Sequence, residues 1–480
     1  MTMQQNTIMN KKNYFFFIFI VIGIILTVSY KNYLNKNYGS LLFSVNYDPF
    51  FVKEENLDHF NNDIFKFPQS INGKDVHGYL INADYILKNL NNQKNIIDSQ
   101  PFYLTSFLQP NIIALFAYLT NQSIFNIDNN GVKNFSLKVD LLIYLQIFFF
   151  YGSLILLFCE LIKHLNRNLA VIYCSIIAIE PSIMQWNISL MTESVTFSIL
   201  LLIFYFMLKP EIKYSYFVGF LLGLVFLQRT MMFYYFPLVL IYYFMQNKKI
   251  IPKVAGIIVF LVSFSVVILL LVYVNYTKSG KVYLMPLQAK LHISHYLEHK
   301  IIALSKGVDK NKIYNILQAR NEKIIKDNNL NLKIEKDKIE FANLVQKKSY
   351  ETVFKYPFTT IKLIFSKIDN TVVLDPLHMI HKYTKFVKYN DWMKSKDKKI
   401  NFAVRIIYSL FIYTLALLGF LHLLKSKITP IYIFSFLNIL FFLGFGALAF
   451  WNTQRYFVPA IIFLLIFSSN GLLKIYEKKK

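Results

Sequence analysis

Cysteine is nearly missing from this chain: there are two in 480 residues, Cys159 and Cys174, and both lie inside apolar runs. That excludes a disulfide framework and any cysteine-built metal centre. Acidic residues are scarce as well, with 27 Asp and Glu against 52 Lys and Arg. There is no glycine-rich phosphate loop, no zinc-protease helix and no serine-elbow motif, which removes the common nucleotide-binding and hydrolytic chemistries. No Asp-x-Asp pair occurs, and no internal repeat is visible.

What is present is apolar surface. The chain is 55% hydrophobic, with 47 Phe and 33 Tyr, and its mean hydropathy is +0.39. Ten apolar runs follow one another, at about 14–30, 137–162, 168–185, 190–208, 214–228, 230–246, 252–274, 403–424, 428–449 and 456–474. Runs of this length read as membrane-crossing helices. The fold class expected is an all-α polytopic membrane protein of about ten transmembrane helices, with two long extracytoplasmic loops. The net charge of +25 could suggest nucleic acid, but the basic residues lie between the spans. They fit lipid headgroups and positive-inside topology instead, so nucleic acid is not an expected partner and the lipid bilayer is.

The short loops set the orientation. Lys163, His164 and Arg167, then Lys209 and Lys213, then Lys248, Lys249 and Lys253, then Lys425 and Lys427 fall on one side, as does the tail 474–480. That side is the cytoplasm, and both termini lie there. The run 14–30 is long for a signal-peptide core, and no small-residue cleavage site follows it, so it reads as a first span. The chain then divides into a first transmembrane anchor (1–30), a first outer loop with interfacial helices (31–136), a transmembrane core of six spans (137–274), a large basic outer loop (275–402) and three C-terminal spans with a basic tail (403–480). The second outer loop carries 25 Lys and Arg against 12 Asp and Glu, which long loops tolerate. Within it, 311–350 has amphipathic helical spacing. The Asn-rich stretches 89–95 and 126–134 read as loops. Asp75 sits at a helix N-cap position, and Tyr79, Ala83 and Ile86 share one face of the helix that follows. The apolar run 103–119, interrupted by Gln109-Pro110, reads as a helix lying in the membrane interface.

This threading brings three charges to the outer face: Glu193, Arg229 and Arg455. A charge at membrane depth costs roughly 3 kcal/mol. Singly, such residues snorkel or pair with a neighbour; their convergence is what carries information. Glu180 and Glu193 flank a short outer turn, and Asp48, Asp58, Asp63 and Asp75 hang above it. Arginine forks over an apolar surface suit a ligand with a phosphate head and a lipid tail, and a carboxylate can take a proton from an attacking hydroxyl.

Several strings carry a family resemblance. Met191-Thr192-Glu193-Ser-Val-Thr-Phe, Leu222-Gly223 through Gln228-Arg229-Thr230 with Pro237, Gln454-Arg455-Tyr456-Phe-Val-Pro459, and Asp75-Val-His-Gly-Tyr79 with Ala83 resemble motifs of the bacterial GT-C integral-membrane glycosyltransferases. The nearest group is the one that includes the dolichyl-phosphate-mannose–protein mannosyltransferases and the aminoarabinose transferases. The resemblance covers most of the chain. It departs at Gln109-Pro110-Asn111, where the family has a Pro-Pro-Gly-type start, and in lacking the second proline of the last motif. It implies a hexosyl or pentosyl transferase in the plasma (inner) membrane, with a polyprenyl-phosphate-linked sugar as donor and a glycan, lipid or protein as acceptor. It implies a first-loop base, for which Asp75 is the match and Asp48 lies nearer the first span. Arg229, Arg455 and Tyr456 take the donor phosphate; Glu193 orients an arginine or binds substrate; His77, Tyr79, Glu180 and Gln454 orient the substrate.

No metal ligand set is assigned. A divalent cation could sit at Asp75 and His77, or between His295 and His299 at helical i,i+4 spacing. Two other classes stay open. In an envelope polysaccharide polymerase or ligase, catalysis would rest on Arg and His of the large outer loop. A lipid-linked-sugar flippase would need charged or broken helices at mid-membrane.

Overall fold

The structure is a computed structural model. It describes residues 11–38, 41–43, 65–67, 74–92, 106–127, 133–246, 249–285, 287–332, 334–374, 376, 396–425, 428–448 and 453–478. Asp48, Asp58 and Asp63 lie outside them.

A helix occupies each of the ten apolar runs. Six are long and apolar enough to cross a membrane: α1 (Lys11–Tyr38), α4 (Val139–His164), α10 (Ile250–Ser279), α17 (Lys396–Leu424), α18 (Pro430–Leu448) and α20 (Ala460–Lys478). A seventh candidate is the pair α5 (Arg167–Ile179) and α6 (Pro181–Asn187), bent by 51° at Glu180. Pro181 sets that bend: it has no N–H to give a continuing helix, and it suits the first position of a new one. The remaining three are short: α7 (Thr192–Met207), α8 (Lys213–Gln228) and a 3-10 turn Thr230–Tyr235 leading into α9 (Phe236–Met245). Sixteen residues of α7 span about 24 Å, less than the roughly 30 Å of a hydrocarbon core. Six helices, or seven with the bent pair, thus meet the length criterion among the described residues, and the other three runs form shorter apolar helices.

The core is continuous through the helices. α7 and α20 are buried over most of their length, as expected of helices apolar all round. α1 packs on α5 and α4; on α4, Phe16 stacks on Phe158 with ring centroids 4.0 Å apart, Thr27 Oγ1 lies 3.0 Å from the Tyr151 hydroxyl, and Lys31 Nζ meets Asp140 at 2.5 Å. Small residues let backbones meet. A Cβ on Gly419 would come within 1.9 Å of the Phe467 carbonyl oxygen, and one on Gly471 within 2.1 Å of the Leu415 carbonyl oxygen, so α17 and α20 touch through facing glycines.

Two short antiparallel ladders accompany the helices: β1 (Leu41–Phe43) with β2 (Phe65–Phe67), and β3 (Phe125–Ile127) with β4 (Lys133–Phe135). The second pairs Asn126 with Asn134, so both ends of the Asn-rich stretch 126–134 lie in paired strands. The first loop also holds α2 (Lys74–Asn91) and α3 (Leu108–Leu119). α2 begins one residue before Asp75, and Tyr79, Ala83 and Ile86 are buried on its common face. α3, at 12 residues, is about 18 Å long and too short to cross a bilayer.

The segment after α10 is a helical unit: α11 (Leu287–Ile293), a π turn Ser294–Glu298, α12 (His299–Lys306), α13 (Lys310–Asp327), α14 (Glu335–Lys355), α15 (Pro357–Phe365) and α16 (Ile368–Val372). The expected single amphipathic stretch 311–350 is two helices, broken where Asn329 takes a φ of 50°, a backbone state that asparagine tolerates. Glu298 is the unit's central strut. Its carboxylate is fully buried and accepts two bonds from Arg320, at 2.5 and 3.1 Å, and one each from Ser349 and Thr352, at 2.7 and 2.8 Å.

Candidate functional site

Three breaks in the helical bundle meet at one place. The first is the start of α7, which supplies Thr192 and Glu193. The second is the end of α8, where Arg229 leaves the helix with φ −143° and ψ 110°. The third is the short helix α19 (Thr453–Phe457) before α20, which supplies Arg455 and Tyr456. A charged side chain is best tolerated at such breaks, because the loose ends of helices offer polar backbone groups to it.

Glu193 is the centre and is completely buried. Arg455 Nε donates to its Oε1, and Arg455 Nη2 lies 3.3 Å from Oε2 and 3.4 Å from Thr192 Oγ1. The Thr192 hydroxyl donates to Glu193 Oε2 at 3.3 Å. Arg229 Nη1 stands 3.6 Å from Glu193 Oε1. The Arg229 guanidinium lies over the Tyr456 ring, 4.9 Å from its centroid, and that of Arg455 lies 6.0 Å from the Trp186 ring. Aromatic faces hold guanidinium planes in this way without neutralising them.

A pair of amides ties the first loop to this centre. Gln109 of α3 is fully buried and donates through Nε2 to the Leu190 carbonyl at 2.9 Å. Gln228 Nε2 donates to Gln109 Oε1 at 2.5 Å and to the Thr192 carbonyl at 3.4 Å. Next to them, Phe107 N–H donates to the Leu227 carbonyl at 3.0 Å, and the Ser106 hydroxyl reaches the same oxygen at 3.3 Å. α2 packs along α3, so the helix that carries Asp75 and His77 is positioned through Gln109.

The same region gathers buried polar atoms without hydrogen-bond partners among the described residues: both amide atoms of Asn187, the hydroxyls of Ser189 and Ser194, Gln228 Oε1 and Arg229 Nη1. Each such group costs about 1–3 kcal/mol if nothing satisfies it. Their concentration on 187–194 and 228–229 marks a surface that a polar ligand or water would complete.

Of the residues expected from sequence, Glu193, Arg229, Arg455 and Tyr456 are brought together. Glu180 is not part of this centre. It is buried, accepts from the Tyr408 hydroxyl, and caps α6 by accepting from Ser182 N–H at 3.1 Å. The turn expected between Glu180 and Glu193 holds α6. Tyr79 is buried in the core. Asp75, His77 and Gln454 lie on α2 and α19, with their side chains outside the described residues, and Asp48 lies outside altogether. Among the described residues no three His, Cys, Asp or Glu side chains gather to hold a metal. Gln109, Gln228, Thr192 and Tyr408 are the partners that sequence reasoning gave no role. The two glutamines had a signal, since each is an amide inside an apolar run.

No protein-family model and no curated protein matches this chain. Two solved structures resemble it. One is the archaeal oligosaccharyltransferase AglB from Archaeoglobus fulgidus in complex with an inhibitory peptide and a dolichol-phosphate, at 12% identity and a TM-score of 0.46. The other is the Archaeoglobus fulgidus oligosaccharyltransferase in its apo form, at 11% identity and a TM-score of 0.47. Each likeness covers 97% of this chain and 51% of the other, so the chain spans about half their length. A likeness this distant bears on neither activity nor ligand.

Proposed function

We propose that this protein is a membrane-embedded glycosyltransferase of the GT-C kind, which moves a sugar from a polyprenyl-phosphate-linked donor to an acceptor at the outer face of the membrane. The short helices complete ten crossings, both termini are cytoplasmic, and 31–136 and 275–402 face outward. The observation that carries the reading is Arg229. Its guanidinium is buried over the Tyr456 ring, and its Nη1, 3.6 Å from Glu193 Oε1 in an ion pair, makes no closer hydrogen bond among the described residues. A buried cationic donor with capacity to spare is suited to an anionic oxygen, and a fork of this shape matches phosphate.

The reaction is a single displacement. The acceptor hydroxyl oxygen attacks the anomeric carbon and gives its proton to a first-loop carboxylate, Asp75 or Asp48. The bond from the anomeric carbon to the phosphate oxygen breaks, its electron pair stays on the lipid phosphate, and the configuration inverts. The leaving phosphate needs its charge held but needs no proton. Arg229 and Arg455 supply that stabilisation from fixed positions, where water is excluded and the field is strong. Glu193 keeps the two guanidiniums apart and aimed. The unpaired amide of Asn187 and the hydroxyls of Ser189 and Ser194 are suited to sugar hydroxyls.

The test is transfer from radiolabelled polyprenyl-phosphate hexose and pentose in membranes that contain the protein, wild type against Asp75→Asn and Asp48→Asn. Loss of transfer in one of the two, with the protein still monodisperse in detergent, assigns the base. Absence of transfer by wild type from every such donor, together with no retention of polyprenyl phosphate, would sink the reading.

A further inference from the structure

The helical unit α11–α16 carries a surface that the proposed reaction does not use. Phe354, Phe358 and Phe365 are 80%, 86% and 66% exposed, and Ile361 between them is 50% exposed. Phe358, Ile361 and Phe365 recur at intervals of three and four residues, which puts them along one face of α15; Phe354 precedes them in the last turn of α14, across the break at Tyr356. The face opposite is also apolar, but covered: Leu363 and Ile364 pack with Val353 and Tyr356 against Leu297 and Ile301, and Thr360 is buried. α15 is therefore apolar on two sides, with Lys362 on an edge between them, and Lys355 ends α14 seven residues earlier. A helix apolar nearly all round does not stand free in water, and three exposed phenylalanines in a row are far from an ordinary soluble surface.

The position of α15 says what covers this face. α15 touches α18, and α16, which follows three residues later, packs on α18 and α19. The chain is pinned there at the start of the spans: the Tyr413 hydroxyl donates to the Val372 carbonyl at 2.6 Å, and Leu374 N–H donates to Ser409 Oγ at 2.9 Å. α15 thus lies where the helical unit meets α18, a helix long and apolar enough to cross a membrane. The flanking Lys355 and Lys362, both exposed, complement anionic headgroups and can extend to them while their stems stay apolar.

We propose that α15 is an interfacial helix. Phe358, Ile361 and Phe365 enter the acyl boundary of the bilayer with Phe354 from the end of α14 beside them, Lys355 and Lys362 lie at headgroup level, and the helix fixes the unit α11–α16 to the membrane surface. This rests on the membrane crossing of α18 and α20 and not on glycosyl transfer.

The test uses the full chain with Cys159 and Cys174 replaced by Ala. Single cysteines are introduced as Phe354→Cys, Phe358→Cys and Phe365→Cys, with Lys326→Cys on α13 as the aqueous reference. Each is labelled with an environment-sensitive fluorophore and reconstituted at one copy per nanodisc of phosphatidylglycerol and phosphatidylethanolamine. The expected result is several-fold stronger quenching at the three Phe positions than at position 326 when the lipids carry a shallow nitroxide, with the opposite order for aqueous iodide. Labels at 354, 358 and 365 as open to iodide as the label at 326 overturn the proposal. Labels shielded from both quenchers overturn it too, because they assign the face to a protein partner.

Discussion

Arg229 Nη1 faces Glu193 Oε1 at 3.6 Å, while Arg455 holds both oxygens of the same carboxylate. The two guanidiniums are unequal: Arg455 is spent largely on Glu193, and Arg229 keeps a donor. Arg229 therefore carries more of the transition-state charge. Arg229→Gln is expected to lower kcat by about 10²–10³-fold, the usual effect of removing a donor aimed at developing charge. Arg229→Lys restores the charge without the fork and recovers only part of that loss. Single-turnover transfer from a labelled donor checks the order wild type, Lys, Gln.

The Gln109–Gln228 pair predicts coupling between the first loop and the charged centre. Gln109→Leu leaves the Leu190 carbonyl without its donor and the Gln228 amide with only its 3.4 Å bond to the Thr192 carbonyl, which costs about 1–3 kcal/mol. Removing both amides should cost less than the sum of the single losses, because the bond between the two side chains is then lost only once. Thermal unfolding of both single variants and the double variant in one detergent measures this. Strict additivity would count against the coupling. In transfer assays Gln109→Leu should lower kcat with donor KM nearly unchanged, since it displaces the base-bearing helix and leaves the arginines in place.

Much of this centre was legible in the sequence, and for a physical reason. A charge beside an apolar run is costly, so Glu193, Arg229 and Arg455 stood out, and positive-inside bookkeeping put them at one face. The pairing itself was not legible. Glu180 and Glu193 look alike in sequence, both at the edge of apolar helices, and only packing separates the one capped by Ser182 and Tyr408 from the one held by two arginines. Hydropathy reports composition but not exact length: α7, α8 and the 230–245 helix read as spans and are apolar helices of 10–17 residues. The π turn at Ser294–Glu298 and the split at Asn329 were hidden because local periodicity is the same on either side of them.

Glu180 is expected to be structural, in contrast to the substrate role read from sequence. Its carboxylate is buried and depends on the Tyr408 hydroxyl and the Ser182 amide. Tyr408→Phe removes one hydrogen bond to a buried ionisable group, worth about 1.5–3 kcal/mol. The expected outcome is a lower unfolding temperature with donor binding and transfer per folded molecule unchanged. A change in donor KM at unaltered stability would return Glu180 to the site.

The outer helical unit should be sensitive to acid through His299. Burial, and then the nearby Lys300 and Lys310, hold its imidazole below the usual histidine value of 6.5 against the opposing pull of the Glu298 carboxylate. Its Nδ1 has no hydrogen-bond partner among the described residues. The unfolded chain therefore takes up this proton more readily than the folded one. The contribution of His299 to stability is fully present above about pH 6.5 and is lost as pH falls towards the lower folded value. Hydrogen exchange of α12 and α13 at pH 7.5 and pH 5.5 should show protection falling in wild type. In His299→Gln, which cannot titrate, the difference between the two pH values should shrink while the Glu298–Arg320 bonds keep the unit folded. An equal loss of protection in both proteins would place the acid sensitivity elsewhere.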